Sequence, residues 1–387
     1  MGMHPARPLV LVVMLRPRGS PARPTGGGQI SMVQTAIALH ELGVKISIVE
    51  GKPSILLGSA RGLEAYKLEN DRGFLGDTIG VIRMVRKTRS DTIFAFTDFF
   101  PETMVPCFFA ALVTHKRLYV NVTSTAYRAD DGRKFLGLIR NRVQGRPKMG
   151  PLLAFITFHA SRRIAFRVGT CFVASHYVES YAKSRLHARR TFVVGAGVEE
   201  FWFERASGKK SYDGVYSGRF DSSKRVPVLI RAWQMVVRRK PDARLLLIGE
   251  FGDEFALVKR LVNELGLVSN VVFAGYMSDR RALADMVQSA RVFVFPSVQE
   301  GFGLVIAEAM AAGLPCILSD VEPLREIFGE AALLVRPDDP SAFADVILGL
   351  LLDEGRRLDY ATRSESMARK FSWSEVSKRV LSALVAP

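Results

Sequence analysis

No apolar run in this chain of 387 residues approaches the ~18–20 residues that a membrane-spanning helix needs. Residues Pro8 to Leu15 are apolar, but a stretch this short, followed by Arg16-Pro17-Arg18, suits a first buried strand better than a secretion signal. Cysteine is scarce. Cys107, Cys171 and Cys316 are scattered, odd in number and set in apolar stretches. That excludes a disulfide framework and any zinc spacing, and it reads as reduced core thiols in a cytoplasmic protein. The chain also lacks both common phosphate-loop signatures. Thr25-Gly26-Gly27-Gly28-Gln29 has no Gly-Lys-Ser/Thr ending, and Ser31 stands at the third glycine place of Gly-x-Gly-x-x-Gly.

The composition, 48% hydrophobic and 24% charged, is globular, and the length allows two domains with a core each. The net charge of +16 is unevenly spread. Residues 1–200 hold 29 Lys and Arg against 14 Asp and Glu, whereas the remaining residues hold 25 against 24. One half therefore meets something anionic.

Apolar strand-like runs alternate with helix-period segments, which argues for parallel α/β layers. In the first half the runs are Leu9 to Leu15, Lys45 to Val49, Thr92 to Phe96, Leu118 to Val122 and Cys171 to Ala174. Gly26 to Gly28 reads as a loop, Gln29 to Leu42 as a helix closed by Gly43, and Leu75 to Val85 as helical. In the second half the strands are Gly214 to Ser217, Arg244 to Ile248, Val271 to Ala274, Val292 to Phe295 and Cys316 to Leu318. The polar, glycine-containing run from Glu204 to Ser211 marks the boundary, giving domains of 1–205 and 206–373. A last helix, about 374–387, is expected to return to the first domain.

The most specific segment is Glu300-Gly-Phe-Gly-Leu-Val-Ile-Ala-Glu308. An apolar strand runs through Pro296-Ser297 into a Gly-Phe-Gly turn and then a helix ending at Gly313. The glycines admit close approach of backbone N–H groups, and the helix N-terminus offers donors and partial positive charge to a phosphate. Two carboxylates beside an anion site suit a ligand with both diphosphate and sugar hydroxyls, a nucleotide sugar. The plainer reading is a solvated glutamate pair with a cap. A second constellation, Gly218-Arg219-Phe220 with Lys224, follows the strand at 214–217. Ligands of open α/β sheets bind beyond the carboxyl ends of strands, and a guanidinium and an ammonium there grip a diphosphate leaving group. Its plainer reading is a solvated basic loop.

Pro296-Ser297, the Glu300/Glu308 spacing, Glu308-Ala-Met-Ala-Ala-Gly313 and Pro315-Cys-Ile-Leu-Ser319-Asp320, in this order, resemble the retaining glycosyltransferases of family 4. The likeness is dense over residues 213–345 and thin before them. It implies the GT-B fold, two Rossmann-like doubly wound domains facing a cleft. It also implies transfer from a nucleoside-diphosphate sugar, UDP- or GDP-linked, without a metal or other cofactor. On this likeness Glu300 meets the donor sugar and Glu308 the ribose. Gly301, Phe302 and Gly303 offer backbone N–H groups, and Leu304 lies against the nucleotide. Gly249 belongs to a Gly-x-Gly turn on the nucleotide side, Gly275 and Tyr276 sit near the base, and Gly27 and Gly28 line the donor diphosphate. A plain turn remains the alternative for Gly275-Tyr276 and a flexible one for Gly27-Gly28.

Two departures stand out. Arg225 occupies a place where the family commonly has glycine. No histidine follows the strand at 118–122, where many relatives line the donor sugar with one, so Ser124 is the candidate there, with Asp98 as a substitute.

From Gly132 to Val178 there is no acidic residue, while nine Lys and Arg are interleaved with aromatic and aliphatic side chains. Such a segment suits a helix lying in an anionic membrane interface; a core helix with a solvated rim is the alternative. No nucleic-acid motif accompanies the charge. The combined expectation is a glycosyltransferase at the cytoplasmic membrane face with a lipid-linked or glycan acceptor. A GT-B enzyme of epimerase or phosphorylase type, or a sugar-nucleotide-binding partner without turnover, stays open.

Overall fold

The computed structural model describes residues 8–15, 27–51, 63–68, 73–95, 101–122, 160, 163–205, 210–249 and 252–386. The chain divides into two units, Met1–Ala196 with Trp373–Pro387, and Gly197–Ser372. The division thus falls ahead of the polar run at 204–211 where the sequence reading put it. The reason is packing: Trp202 is buried, Arg280 of the second unit lies over its ring, and Val198 N–H bonds to the Phe371 carbonyl.

In the first unit the elements are β1 (Leu9–Met14), α1 (Gly27–Glu41), β2 (Lys45–Glu50), β3 (Glu64–Lys67), α2 (Gly73–Thr88) and β4 (Thr92–Ala95). They continue with α3 (Pro101–Thr114), β5 (Arg117–Val122), β6 (Thr170–Val173), α4 (His176–Leu186) and β7 (Arg190–Val193). The strands form one parallel sheet in the order β3-β2-β1-β4-β5-β6-β7. β1 is apolar throughout because both its faces are covered, as parallel sheets require. Leu11, Val13 and Leu15 face one core and Val10, Val12 and Met14 the other. Gly27 and Gly28, expected in a loop, instead open α1; a helix start is itself a place where backbone donors lack partners.

The second unit begins with a single 3₁₀ turn, Glu200–Phe203, followed by β8 (Tyr212–Ser217), a second 3₁₀ turn at Ser222–Lys224 and α5 (Val226–Arg239). Next come β9 (Leu245–Ile248), α6 (Phe255–Glu264), β10 (Val271–Gly275), α7 (Arg280–Gln288), β11 (Ala290–Phe295) and α8 (Leu304–Ala311). β12 (Cys316–Ser319), α9 (Leu324–Phe328), β13 (Leu333–Val335), α10 (Pro340–Leu352) and α11 (Glu354–Arg369) complete it. The parallel sheet runs β10-β9-β8-β11-β12-β13, a doubly wound order that reverses between β8 and β11. The last helix, α12 (Trp373–Val385), belongs to the first unit. It buries Val376, Val380 and Leu384 against the α1 side of that sheet, the Tyr119 hydroxyl lies 3.4 Å from the Ala383 and Leu384 carbonyls, and Arg379 Nε donates to the Val194 carbonyl.

The carboxyl ends of the second sheet are tied to one another by backbone. Gly218 N–H donates to the Ile248 carbonyl and Gly249 N–H to the Gly275 carbonyl, both at 2.9 Å. Val298 N–H donates to the Ser223 carbonyl at 2.9 Å, joining the loops after β8 and β11. A Cβ on Gly249 would lie 1.8 Å from the Gly218 carbonyl oxygen, so only glycine lets these two loops meet. Arg225, where glycine was expected, takes the left-handed conformation itself (φ 53°, ψ 33°), and its Nε lies 3.0 Å from Asp338. The loop shape that a glycine permits is kept.

Two outcomes are expected. Gly249→Ala should lower unfolding stability by roughly 3 kcal/mol or more, and Gly275→Ala, whose added Cβ meets nothing within 4 Å, by only about 1 kcal/mol for its left-handed backbone; chemical denaturation reads both. In the first unit, Glu179 accepts from Thr191 at 2.6 Å and pairs with Lys183 at 2.8 Å and His176 at 3.2 Å. Burial raises its pKa, but the bonds from Lys183, Thr191 and His176 outweigh burial and bring it to about 2 from 4.5. A depressed carboxylate stabilises the fold above its unfolded pKa and loses that contribution as pH falls through the folded value. The Tm should therefore fall between pH 4.5 and 2, and Glu179→Gln should flatten that part of the profile.

Candidate functional site

The loop after β8 and the loop after β11 leave adjacent strands on either side of the point where strand order reverses. Lys224 ends the 3₁₀ turn on the first loop, and Glu300 lies on the second. Their side chains meet, with Lys224 Nζ 2.5 Å from Glu300 Oε1 and each side chain only 12% exposed. The floor beneath them is aromatic. Phe295 of β11 stacks on Tyr216 of β8 with centroids 5.7 Å apart, and Lys224 Nζ stands 5.6 Å from the Phe295 ring. The Tyr216 hydroxyl donates to the Arg219 carbonyl at 2.6 Å. Burial, then the Glu300 and Asp221 carboxylates, push its pKa well above the usual phenol value, so it stays a neutral donor.

The turn from β11 into α8 is built by Gly303, whose φ of 90° directs the chain into the helix. No side chain caps α8, so its N-terminus keeps its partial positive charge open. Gly301 precedes the turn and Leu304 is the first helical residue. Phe302 is buried, meeting Phe328 and Phe371 edge-on at 5.7 and 5.2 Å. Its ring is core.

Glu308 lies on α8 and is 2% exposed. Arg280, the first residue of α7, places Nη2 2.5 Å from Glu308 Oε1 and 2.5 Å from Glu199 Oε2. Glu199 also accepts from Trp202 Nε1 at 3.3 Å, and Arg280 lies over the Trp202 ring at 5.4 Å. Burial works against the Arg280 charge, but Glu308 and then Glu199 outweigh it and hold its pKa above the usual value. Burial raises the Glu308 pKa, and Arg280, shared with a second carboxylate, offsets that only in part. Neither Arg280 nor Glu199 was singled out from sequence. The one local signal is Asp279, whose side chain caps α7 by accepting from Arg281 and Ala282 and so places Arg280 at the carboxyl end of the sheet; Glu199 carries none.

Arg219 does not join Lys224 at Glu300. Its side chain is 60% exposed and pairs with Asp221 at 2.9 Å, because the β8 loop turns it outward while Phe220 is buried. Gly249 sits where it meets Gly218, which gives it a structural reason independent of any ligand. Gly275 ends β10 and Tyr276 is 39% exposed beside it. Gly27 and Gly28 lie in the first unit. Ser124 and Asp98 lie outside the described residues, as does most of the basic segment from Gly132 to Val178.

The family described as Glycosyl transferases group 1 matches residues 198–367. O-antigen chain mannosyltransferase B of Escherichia coli is 32% identical over 170 residues, 44% of this chain and 44% of that protein. A phosphatidyl-myo-inositol mannosyltransferase of Mycolicibacterium smegmatis is 32% identical over 171 residues, 43% of each. The match thus spans less than half the length of these curated relatives. Among solved structures, an Anabaena protein in complex with UDP and glucose has a TM-score of 0.75 at 16% identity, covering 97% of this chain and 99% of that one. Sucrose-phosphate synthase from Thermosynechococcus elongatus has a TM-score of 0.72 at 21% identity, covering 97% of each chain. These likenesses establish the GT-B fold. Residues 198–367, which hold Lys224, Arg280, Glu300 and Glu308, are the part of the chain that matches the glycosyl transferases group 1 family.

Proposed function

We propose that this protein is a retaining glycosyltransferase moving a sugar from a nucleoside diphosphate to an acceptor hydroxyl. The observation that carries the reading is the Lys224–Glu300 pair at the β8/β11 reversal, with the uncapped N-terminus of α8 behind it. In such a transfer the bond from the anomeric carbon to the diphosphate oxygen breaks. A bond from the acceptor oxygen forms on the same face of the sugar, and negative charge builds on the departing phosphate. An ammonium carries three N–H donors, and Glu300 engages one of those of Lys224, so the others remain for phosphate oxygens. Arg219, on the same loop, supplies a second cation, and a helix N-terminus adds fixed dipoles. The reading takes these groups to handle the leaving phosphate without a metal. Glu300 accepts from hydroxyls of the donor sugar, and Glu308 from the ribose.

The relatives' names, O-antigen chain and phosphatidyl-myo-inositol mannosyltransferase, favour a glycan or lipid-linked acceptor, and the UDP held by the Anabaena protein favours a UDP- or GDP-linked donor. Among the described residues no helix is long and apolar enough to cross a membrane. Attachment at the cytoplasmic face would instead be peripheral. It is supported by the basic excess of residues 1–200, by exposed apolar side chains beside exposed arginines, Leu75 and Ile79 with Arg83 and Arg86 on α2 and Ile164 with Arg163, and by exposed Leu112 and Val113 on α3.

Thermal-shift screening against UDP-, GDP- and ADP-sugars should find one that stabilises the protein. Lys224→Ala should then lower turnover with it by about a hundredfold or more, while nuclear magnetic resonance of the product shows the donor's anomeric configuration retained. Stabilisation by none of them would refute the donor assignment, and an inverted product the retaining one.

A further inference from the structure

Arg280 holds together one buried carboxylate, Glu308, and one partly buried, Glu199, from distant parts of the second unit's sequence. The separations along the chain are 28 residues to Glu308 and 81 to Glu199, and both contacts use the same terminal nitrogen at 2.5 Å. Its Nε is buried without a hydrogen-bond partner. A guanidinium can present its fork bidentately to one carboxylate. Here it bridges two, leaving one Nε donor unused. On Glu308 only Oε1 is engaged, and Oε2 takes no hydrogen bond from any described residue. A carboxylate so arranged has one oxygen clamped and one left as an acceptor.

The electrostatics follow from the same geometry. Glu308 and Glu199 together carry two negative charges, and Arg280 offsets one of them. Without Arg280, two poorly solvated carboxylates would face any diphosphate brought to the neighbouring loop, and repulsion at short range in a low-dielectric site is strong. Trp202 fixes Arg280 from behind, donating from Nε1 to Glu199 and offering its ring face to the guanidinium. Tied down in this way, Glu308 is held in a single side-chain position.

We infer that Arg280 is a positioning residue for nucleotide recognition: it clamps Glu308 Oε1 so that Oε2 accepts a ribose hydroxyl of the donor, and it offsets the carboxylate charge that would otherwise repel the diphosphate. This rests on the reading of Glu308 as the ribose acceptor. Glu199 is the counterweight that keeps Arg280 from folding wholly onto Glu308.

Isothermal titration with UDP, GDP and ADP identifies the nucleotide bound by the wild-type protein, and its 2′-deoxy form is then compared. The wild type should prefer the ribonucleotide by about tenfold, the worth of a hydrogen bond to a charged acceptor. Arg280→Gln should weaken the ribonucleotide by about tenfold or more while leaving the deoxy form far less affected, so that the preference collapses. In turnover the same variant should raise KM with kcat within a few-fold, and Arg280→Lys, which keeps the charge, should recover part of the preference. Equal loss of both nucleotides in Arg280→Gln, or an unchanged preference, overturns the inference. If Arg280→Gln does not fold, as judged by its melting curve, Arg280→Lys decides: a preference equal to the wild type's overturns the inference, and a reduced one supports it. Binding of none of the nucleotides by the wild type would instead remove the donor reading itself, and with it this one.

Discussion

The site depends on one topological constraint: β8 and β11 are hydrogen-bonded neighbours, yet the chain leaves them toward opposite faces of the sheet. From β8 it passes to α5, which packs with α6 and α10; from β11 it passes to α8, which packs with α7 and α11. Two loops that part in this way leave a crevice at their base. The crevice is where Lys224 and Glu300 converge from positions 76 residues apart. The backbone ties among Gly218, Gly249 and Gly275, and between Ser223 and Val298, keep the rim from spreading, so the two charged side chains meet without any bond between them in sequence.

Charged pairs this poorly exposed are weak contributors to stability, because desolvation of each ion consumes most of the Coulomb attraction. Lys224 with Glu300, and Arg280 with Glu308 and Glu199, are therefore better understood through what they prepare than through what they hold up. The stability of the second unit resides elsewhere: in the fully buried β8, β9 and β11 residues, in the Phe220, Phe255 and Phe273 ring cluster, and in Trp233 beneath Gly214. On that frame the carboxyl-edge loops are free to carry polar side chains that a core would reject. The first unit repeats the parallel winding, and residues 1–200 carry nearly all of the chain's basic excess.

The regular part of the fold was legible because both sheets are parallel and covered on both faces, which makes their central strands continuous apolar runs. β3, β7 and β13 escaped notice for the same reason inverted. Glu64–Lys67 and Arg190–Val193 lie at the sheet edges and carry charged residues, and Leu333–Val335 is too short to register as a run. The pattern around Arg225 was read as a departure, and the backbone shows why it is tolerated: an arginine there accepts a left-handed conformation beside Asp338. The polar run and the structural division differ in place because a polar run looks like a linker whether or not the residues before it, such as Trp202, are already buried in the next unit.

What the amino-acid sequence determined by itself was local: alternating elements, a glycine turn opening a helix, cations just past one strand and glutamates just past another, each set by propensity and short-range spacing. Tertiary structure decided which of those charges meet. It sent Arg219 outward to Asp221, brought Lys224 to Glu300, and assigned Glu308 to Arg280 with Glu199 as the opposing acceptor. Side-chain pairing across strands and helices depends on sheet order, loop closure and burial, and none of these is carried by the spacing of residues along a single segment.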